Sequence, residues 1–477
     1  MRRSRLFLTV RVGTIPILPK PPDYRIVSTA VESKLPLPRP PGPSFWQGFK
    51  AYGRDPAMYM HQLFLDYGEV VCWRGTMTIY LLNNPDHVRQ VLTQAHPEFT
   101  KDLYDYRVLK QTLGNGLVTN DGADWTRQRR LMQPMFHHKI VNAFDTAING
   151  FTATLVDRWQ QLPAGQPVAL EREMSRITFQ IVAATLFGSE INDHAHEMVD
   201  ILDVINVNTK SAAAFLTLYP WIPSPHNRRF KRVMQRLDNI VYNLINGRRA
   251  SGIGSQDLLD RLLSVRDEQS GLGMEEKQVR DEVVTLMLAG HETSATALQW
   301  IFYLLSKHPE VEAALLSELA VLSGNPATSG DLSRLPYLKQ VVQESMRIYP
   351  PVWGIARTST HEQEFGGYRI PAGAYLSIMP YSLHRHPDHW TEPARFDPDR
   401  FSPQRSAGRH SYCYIPFAAG PRACIGVGMS MLEIQLVLAQ LLPRFWVRPV
   451  PGHVIKPMAT VTYRPRFGMQ VFIEPRQ

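Results

Sequence analysis

The sequence predicts a mainly α fold with small β-sheets, and three observations point there. Apolar helical runs fill most of residues 140–347 and return at Val427–Leu442. Strand-like segments are confined to 69–82 and 350–379. No internal repeat or interdomain linker appears past residue 44, so 477 residues with 44% hydrophobic content read as one large domain over 45–477.

Residues 1–44 read as a basic, proline-rich leader ending in Pro40-Pro41-Gly42-Pro43. Its apolar piece, Leu6 to Val10, is far short of the roughly 20 residues a spanning helix needs, and no small-residue cleavage site follows. Peripheral contact with an anionic membrane is the most this leader offers. Glu69–Cys72 and Met77–Leu82 read as two strands around Arg74-Gly75. Leu103–Asp121 reads as loop because Gly114-Asn115-Gly116 and Asp121-Gly122 break it, and Asp121 or Asp124 then caps a helix carrying Trp125 and Arg129. Three helical blocks between 281 and 347 are separated by His308-Pro309 and Gly324-Asn325-Pro326.

The net charge of +9 is concentrated at one end. Residues 1–43 carry eight basic side chains against Asp23 and Glu32, leaving only +3 for the body. With no RNA- or DNA-binding signature, a nucleic-acid-binding function is excluded. Three cysteines, Cys72, Cys413 and Cys424, cannot form a disulfide framework, which points to a reducing, cytoplasmic setting.

The stretch Phe417-Ala418-Ala419-Gly420-Pro421-Arg422-Ala423-Cys424-Ile425-Gly426 puts a cysteine in a glycine-bounded turn before an apolar helix whose one charge is Glu433. A lone cysteine is usually a small buried hydrophobe. Here the turn aims the sulfur at a helix N-terminus, which favours a thiolate able to ligate heme iron. Gly420 permits the turn, Gly426 lets backbone approach a flat cofactor, and Arg422 offers a fork of donors to a carboxylate. Cys413 lacks this context.

A second constellation, Ala289-Gly290-His291-Glu292-Thr293, lies inside an apolar helical run. Gly290 costs up to about 1 kcal/mol there relative to alanine and so asks for a reason. Thr293 can simply bond back to the Ala289 carbonyl, or pair with Glu292 as an acid–alcohol proton relay. His291 reads as a packing residue. Glu344 and Arg347 sit at i and i+3 on one helix face, and Phe396-Asp397-Pro398-Asp399-Arg400-Phe401 supplies a further arginine.

The pattern F-x-x-G-x-R-x-C-x-G resembles the heme-ligand loop of the cytochrome P-450 family at every fixed position, and the resemblance runs from about residue 45 to the C-terminus. It implies a single cytochrome P-450-like domain holding heme b, with Cys424 as axial iron ligand in a loop fixed by Phe417, Gly420 and Gly426. Trp125, Arg129, Arg357 and Arg422 would hold the heme propionates. Ala289, Gly290, Glu292 and Thr293 resemble the family's oxygen-activation motif, and Glu344, Arg347 and Arg400 its buried structural triad. Family position and apolarity give Tyr104, Leu109, Leu117, Leu286, Ala289, Val352, Trp353 and Ile355 as pocket walls, with Trp353 narrowing the pocket.

The implied activity is insertion of one oxygen atom from O2 into a hydrophobic molecule such as a fatty acid or terpenoid. Electrons would come from NAD(P)H through a separate ferredoxin and ferredoxin reductase or a flavodoxin-type donor, since no such segment follows Gln477; a monomer is expected. Segments 125–144 and 400–422 contain basic but no acidic residues, which suggests a docking face for an acidic donor at Arg127, Arg130 and Arg405. The alternatives are a peroxide-driven or isomerase-type heme-thiolate enzyme, against which the Glu292-Thr293 pair argues, and a non-catalytic heme sensor.

Overall fold

The longest helix follows from the sequence with little ambiguity. Glu276–Lys307 has one glycine and no proline, is apolar on nearly every face, and stops at His308-Pro309, so it forms a buried rod of 32 residues. Around it a computed structural model describes residues 38–44, 52–53, 55–75, 77–188, 195–209, 214–251, 257–266 and 271–476, all within one compact unit, Pro38–Gln477. Leader residues 1–37 lie outside the described residues. Residues 38–44, which the sequence assigns to the leader, pack on the domain: Cys72 N–H donates to Pro41 O at 2.8 Å.

The longer helices are α1 (Pro56–Tyr67), α2 (Tyr104–Leu113), α3 (Gly122–Met132), α4 (Asp145–Gln160), α5 (Leu170–Phe187), α6 (Ala195–Thr209), α7 (Pro225–Ser251), α8 (Glu276–Lys307), α9 (Pro309–Leu319), α10 (Pro336–Ile348) and α11 (Val427–Leu441). The strands are β1 (Val70–Arg74), β2 (Thr78–Leu82), β3 (Phe99–Thr100), β4 (Val168–Ala169), β5 (Ile355–Ser359), β6 (Gln363–Phe365), β7 (Tyr368–Ile370), β8 (Tyr375–Ile378), β9 (Phe445–Pro449), β10 (Pro457–Ala459), β11 (Tyr463–Pro465) and β12 (Gln470–Pro475). β1 and β2 pair antiparallel with Cys72 opposite Tyr80 and lie in a sheet of order β1-β2-β8-β5-β3. A three-stranded sheet runs β4-β12-β9, and β6-β7 and β10-β11 are separate pairs.

The main core lies where α8 packs along α5 and crosses α11, which rests in turn on α4. Trp300 of α8 ties this core to the C-terminal strands: it stacks on Tyr349 at 4.0 Å and donates from Nε1 to Tyr463 O at 2.6 Å. Cys72 and Cys413 are buried and unpaired. Among the described residues no helix is long and apolar enough to cross a membrane.

One segment departs from expectation. Residues 104–113 form α2 rather than loop, because no breaker occurs before Gly114 and Val108, Thr112 and Leu113 supply a buried face. The glycines that suggested a loop instead end the helix and lay the next turn on α8. A Cβ at Gly114 would stand 2.1 Å from the Asp281 carboxylate, and one at Gly116 would stand 2.0 Å from Thr285 Oγ1.

Candidate active site

The cysteine loop is folded on itself. Cys424 N–H donates to Phe417 O at 2.9 Å and Ala423 N–H to Gly420 O at 3.0 Å. Gly420 has φ of +71°, and a Cβ there would stand 2.0 Å from Leu92 O, so no side chain fits. Ala418 is held at φ of +58°, the kind of strain that persists where surrounding structure over-determines it. Gly426 caps α11. Cys424 lies deep in the fold, and its accessible face looks into an internal cavity. Burial pushes the thiol up; the Gly426 N–H and the Arg129 charge pull it down by less. Desolvation of the anion thus opposes the donors that the loop and helix start provide.

The cavity, about 320 Å³, is within the size range of small-molecule sites. One wall is the cysteine loop with Met429, Ser430, Glu433 and Ile434 of α11; another is α8, presenting Leu286, Ala289, Gly290, Thr293, Ser294 and Ala297. Leu117, Val352 and Ile355 also line it, as expected. Tyr104, Leu109 and Trp353 do not. Tyr104 is surface-exposed, Leu109 packs into the main core, and Trp353 turns away to donate to Thr460 O at 2.9 Å. Gly354 occupies the wall beside it, so the narrowing assigned to Trp353 is absent.

Four cations and an indole line one side of the same cavity: Lys101, Arg129, Arg357, Arg422 and Trp125. Arg422 pairs with Asp121, the N-cap of α3, and lies 4.0 Å over the Trp125 ring. Arg129 donates to Ala423 O at 2.9 Å, and Lys101 Nζ to Val118 O at 2.7 Å. Burial, reinforced by Arg357 and Arg422, holds Lys101 well below its ordinary value, and burial lowers Arg129 and Arg422. Asp121 is the acid that opposes burial at both Lys101 and Arg422. Desolvated positive charge in excess of its counter-charge is a site lacking anions. A flat group with two carboxylates supplies them, with Cys424 Sγ facing the same space, so the residues fit heme. Lys101 escaped the sequence reading because a lone lysine between strand and loop carries no pattern.

On α8 the simple reading of Thr293 is the observed one: its hydroxyl donates to Ala289 O at 2.7 Å while facing the cavity. Glu292 is absent from the cavity wall. Its Oε1 accepts from Thr462 Oγ1 at 2.8 Å, because adjacent helical residues project about 100° apart. The direct acid–alcohol pair does not form. Gly290 owes its place to packing, since a Cβ would meet Val182 Cγ2 of α5 at 3.0 Å. His291 is buried against Phe179, and burial lowers it to about 4, so it is a neutral packing residue. Glu433 was noted only as the one charge of α11. It is a buried acid on the cavity wall whose Oε1 has no hydrogen-bond partner, and burial raises it to about 8.

Behind the loop, Arg347 grips Glu344 with Nε and Nη2 at 2.7 and 2.8 Å, and Arg400 Nε approaches Glu344 at 3.4 Å. All three side chains are buried. Arg347 also donates to His384 O at 2.9 Å, and His384 Nε2 accepts the Ile415 N–H at 2.9 Å, two residues before Phe417. Burial, helped by Arg385 and Arg347, keeps His384 far below its ordinary value, so its ring stays neutral and able to accept. The cluster is thus wired to the cysteine loop through one histidine.

The family model for cytochrome P-450 matches residues 36–469. Cyclooctatin synthase of Streptomyces melanosporofaciens is 36% identical over 396 residues, 82% of this chain and 85% of that protein. Cyclooctat-9-en-7-ol 5-monooxygenase of the same organism is 34% identical, covering 81% and 84%. Pentalenene oxygenase of Streptomyces avermitilis is 33% identical, covering 87% and 92%. Among solved structures the heme domain of cytochrome P-450DA superposes with TM-score 0.83 at 23% identity, covering 93% of this chain and 99% of that one, which shows the same fold. With thiol, cationic rim and helix face gathered on one cavity, the chain belongs to the cytochrome P-450 family and is a heme-dependent monooxygenase.

Proposed function

We propose that this monooxygenase hydroxylates a terpenoid-class hydrophobe, and that Cys424 would hold the heme iron through sulfur while Lys101, Trp125, Arg129, Arg357 and Arg422 would bind the propionates. The observation that carries this reading is that thiol, cations and the Thr293 face open onto one cavity. Heme, when bound, supplies the binding and activation of O2. The chain's own residues do the rest. Gly426 N–H and Arg129 lower the cost of a Cys424 thiolate. Val182, Leu186, Leu286, Val352 and Ile355 give the cavity apolar walls that hold substrate and exclude water. Thr293 Oγ1 keeps a hydroxyl proton at the cavity surface, donated to Ala289 O until something better accepts it. Glu292, anchored at Thr462, serves that helix turn from behind.

Terpenoid chemistry is favoured over fatty acids because two relatives are named for oxygenation of cyclooctat-9-en-7-ol and pentalenene, terpenoid compounds. A cytoplasmic setting accords with the three unpaired cysteines, and electrons come from a ferredoxin or flavodoxin-type donor. The test is turnover of a panel of cyclic terpenes by the purified holoenzyme with NADPH and a surrogate ferredoxin and ferredoxin reductase. The expected result is O2-dependent product carrying one added oxygen atom. Product formed from added peroxide alone, or turnover confined to fatty acids, would contradict this reading.

A further inference from the structure

Three consecutive charged side chains near the start of α8, Arg280, Asp281 and Glu282, are buried in the fold, at 6%, 2% and 0% exposure. Each reaches the last turn of α2 or the turn that follows it. Arg280 Nη1 donates to Thr112 O at 2.9 Å, and its Nε holds Asp238 of α7 at 2.8 Å. Asp281 Oδ2 accepts the Asn115 N–H at 2.9 Å, and Glu282 Oε2 accepts the Leu117 N–H at 3.0 Å. Lys277 Nζ and Arg280 Nη1 bring positive charge to Asp281 at 2.8 and 3.0 Å. At Glu282, Oε1 has no hydrogen-bond partner. Burial raises Glu282 to about 8, with the Asp281 charge adding to it and the Leu117 N–H pulling the other way, so it is an uncharged acid at neutral pH.

The turn they grip runs straight into the cavity wall. Leu117 and Val118 line the cavity beside Thr285 and Leu286 of α8. Gly114 and Gly116, where a Cβ has no room against α8, let the turn come close enough for these bonds. Its other backbone groups are held as well: Thr119 Oγ1 donates to Gly114 O at 2.6 Å, Gln128 Nε2 of α3 to Asn115 O at 2.8 Å, and Lys101 Nζ to Val118 O at 2.7 Å. A buried amide that loses its acceptor must find another or carry the full desolvation penalty. The Glu282 carboxyl therefore fixes where the Leu117 backbone lies, and with it where the side chain enters the cavity wall.

We propose that Glu282 is a positioning residue for substrate selection: its carboxyl anchors the Leu117 backbone, and through it the side chain that sets the width of the cavity at that wall. The inference rests on the reading that this cavity holds substrate. Glu282 acts only through Leu117. Arg280 and Asp281 hold the same turn but each sits in an ion pair, so changing either strands a buried charge. Glu282 can be changed without that penalty, which makes its effect on the wall separable from its effect on the fold. A ring system seated against Leu117 is reoriented when this backbone shifts, and a misplacement of about 1 Å at the reacting atoms is enough to cost rate.

The test is binding of imidazole and of 4-phenylimidazole to the full-length holoenzyme, read from the Soret shift. Glu282→Leu and Glu282→Met keep the bulk and remove the carboxyl. Either should weaken 4-phenylimidazole about tenfold, the worth of one apolar contact. Imidazole, too small to reach the wall, should stay within about twofold of wild type. Leu117→Ala should behave the same way, and Glu282→Leu combined with Leu117→Ala should be no weaker than either alone, because both act on one contact. Glu282→Gln keeps an uncharged acceptor and should bind as wild type. Amide exchange over 114–118 should quicken about tenfold in Glu282→Leu and not in Glu282→Gln. Additive effects in the double variant, unchanged 4-phenylimidazole affinity in Glu282→Leu and Glu282→Met, or equal weakening of both ligands overturns the proposal. The exchange measurement needs no heme. Unchanged exchange in Glu282→Leu therefore fails this inference alone, whereas a wild-type spectrum without a thiolate band fails the heme reading alone.

Discussion

Glu433 stands on an apolar helix with one carboxylate oxygen lacking a partner, and burial raises it to about 8 from an ordinary 4.5. Between those values the folded protein keeps a proton that the unfolded chain has released. Stability from this group therefore falls as pH rises across that window and is unaffected below it. Glu433→Gln, neutral throughout, should gain on wild type from about pH 5 to about pH 8 in chemical unfolding of the holoenzyme; a wild-type-to-variant difference flat with pH would mean that Glu433 is ionised in the fold. Glu433 was visible in the sequence only as a charge out of place. Cys424 was far more legible, because it is one of five fixed positions in a ten-residue pattern. The Glu292-Thr293 pair was legible as a motif, but adjacency in sequence does not reveal that helix geometry sends the two side chains to different partners.

At the scale of elements, the cysteine loop depends on backbone no side chain can copy. Gly420→Ala adds a Cβ 2.0 Å from Leu92 O at a positive φ. It should cost on the order of 1–3 kcal/mol and reduce heme occupancy in the purified protein. Wild-type stability and heme content in that variant would show that the loop adapts. The triad behind it is a different support: removing Arg347 would strand Glu344 and cost roughly 3–5 kcal/mol, and would remove a donor that anchors His384, whose ring accepts the Ile415 N–H. Elements with strong internal signals were legible, α8 and α11 by uninterrupted apolarity and α3 by its Asp121 cap. α2 was not, since two glycines just past its end outweighed ten ordinary residues before them. Leu109 and Trp353 were expected in the pocket wall and do not line it, for a related reason: apolarity identifies a buried residue without saying which cavity or core it faces.

For the whole molecule, charge placement matters more than net charge. Of the three arginines expected to meet an electron donor, Arg405 is paired with Asp397 at 2.9 Å and Arg127 donates to Gln278 at 3.1 Å. Arg130 and Lys139 on the same stretch are exposed. Reversing both to glutamate should slow reduction by an acidic ferredoxin several-fold at low salt and leave substrate-induced spin shifts unchanged. Stopped-flow rates equal to wild type at low ionic strength would place the docking face elsewhere. The whole-molecule architecture was legible because a helix-rich pattern with confined strands fits few alternatives. The grip of α8 on the turn at 112–117 was not, since charges at the start of an apolar run do not reveal which backbone they hold.

The central claim is that Cys424 binds iron through sulfur within this cavity. The most direct measurement is the absorption spectrum of the reduced, carbon monoxide-bound holoenzyme beside that of Cys424→Ser. The account predicts the red-shifted Soret band of a thiolate-ligated heme in wild type and its loss in the variant. A nitrogen-ligated spectrum in wild type, or a thiolate band that survives in Cys424→Ser, would contradict it.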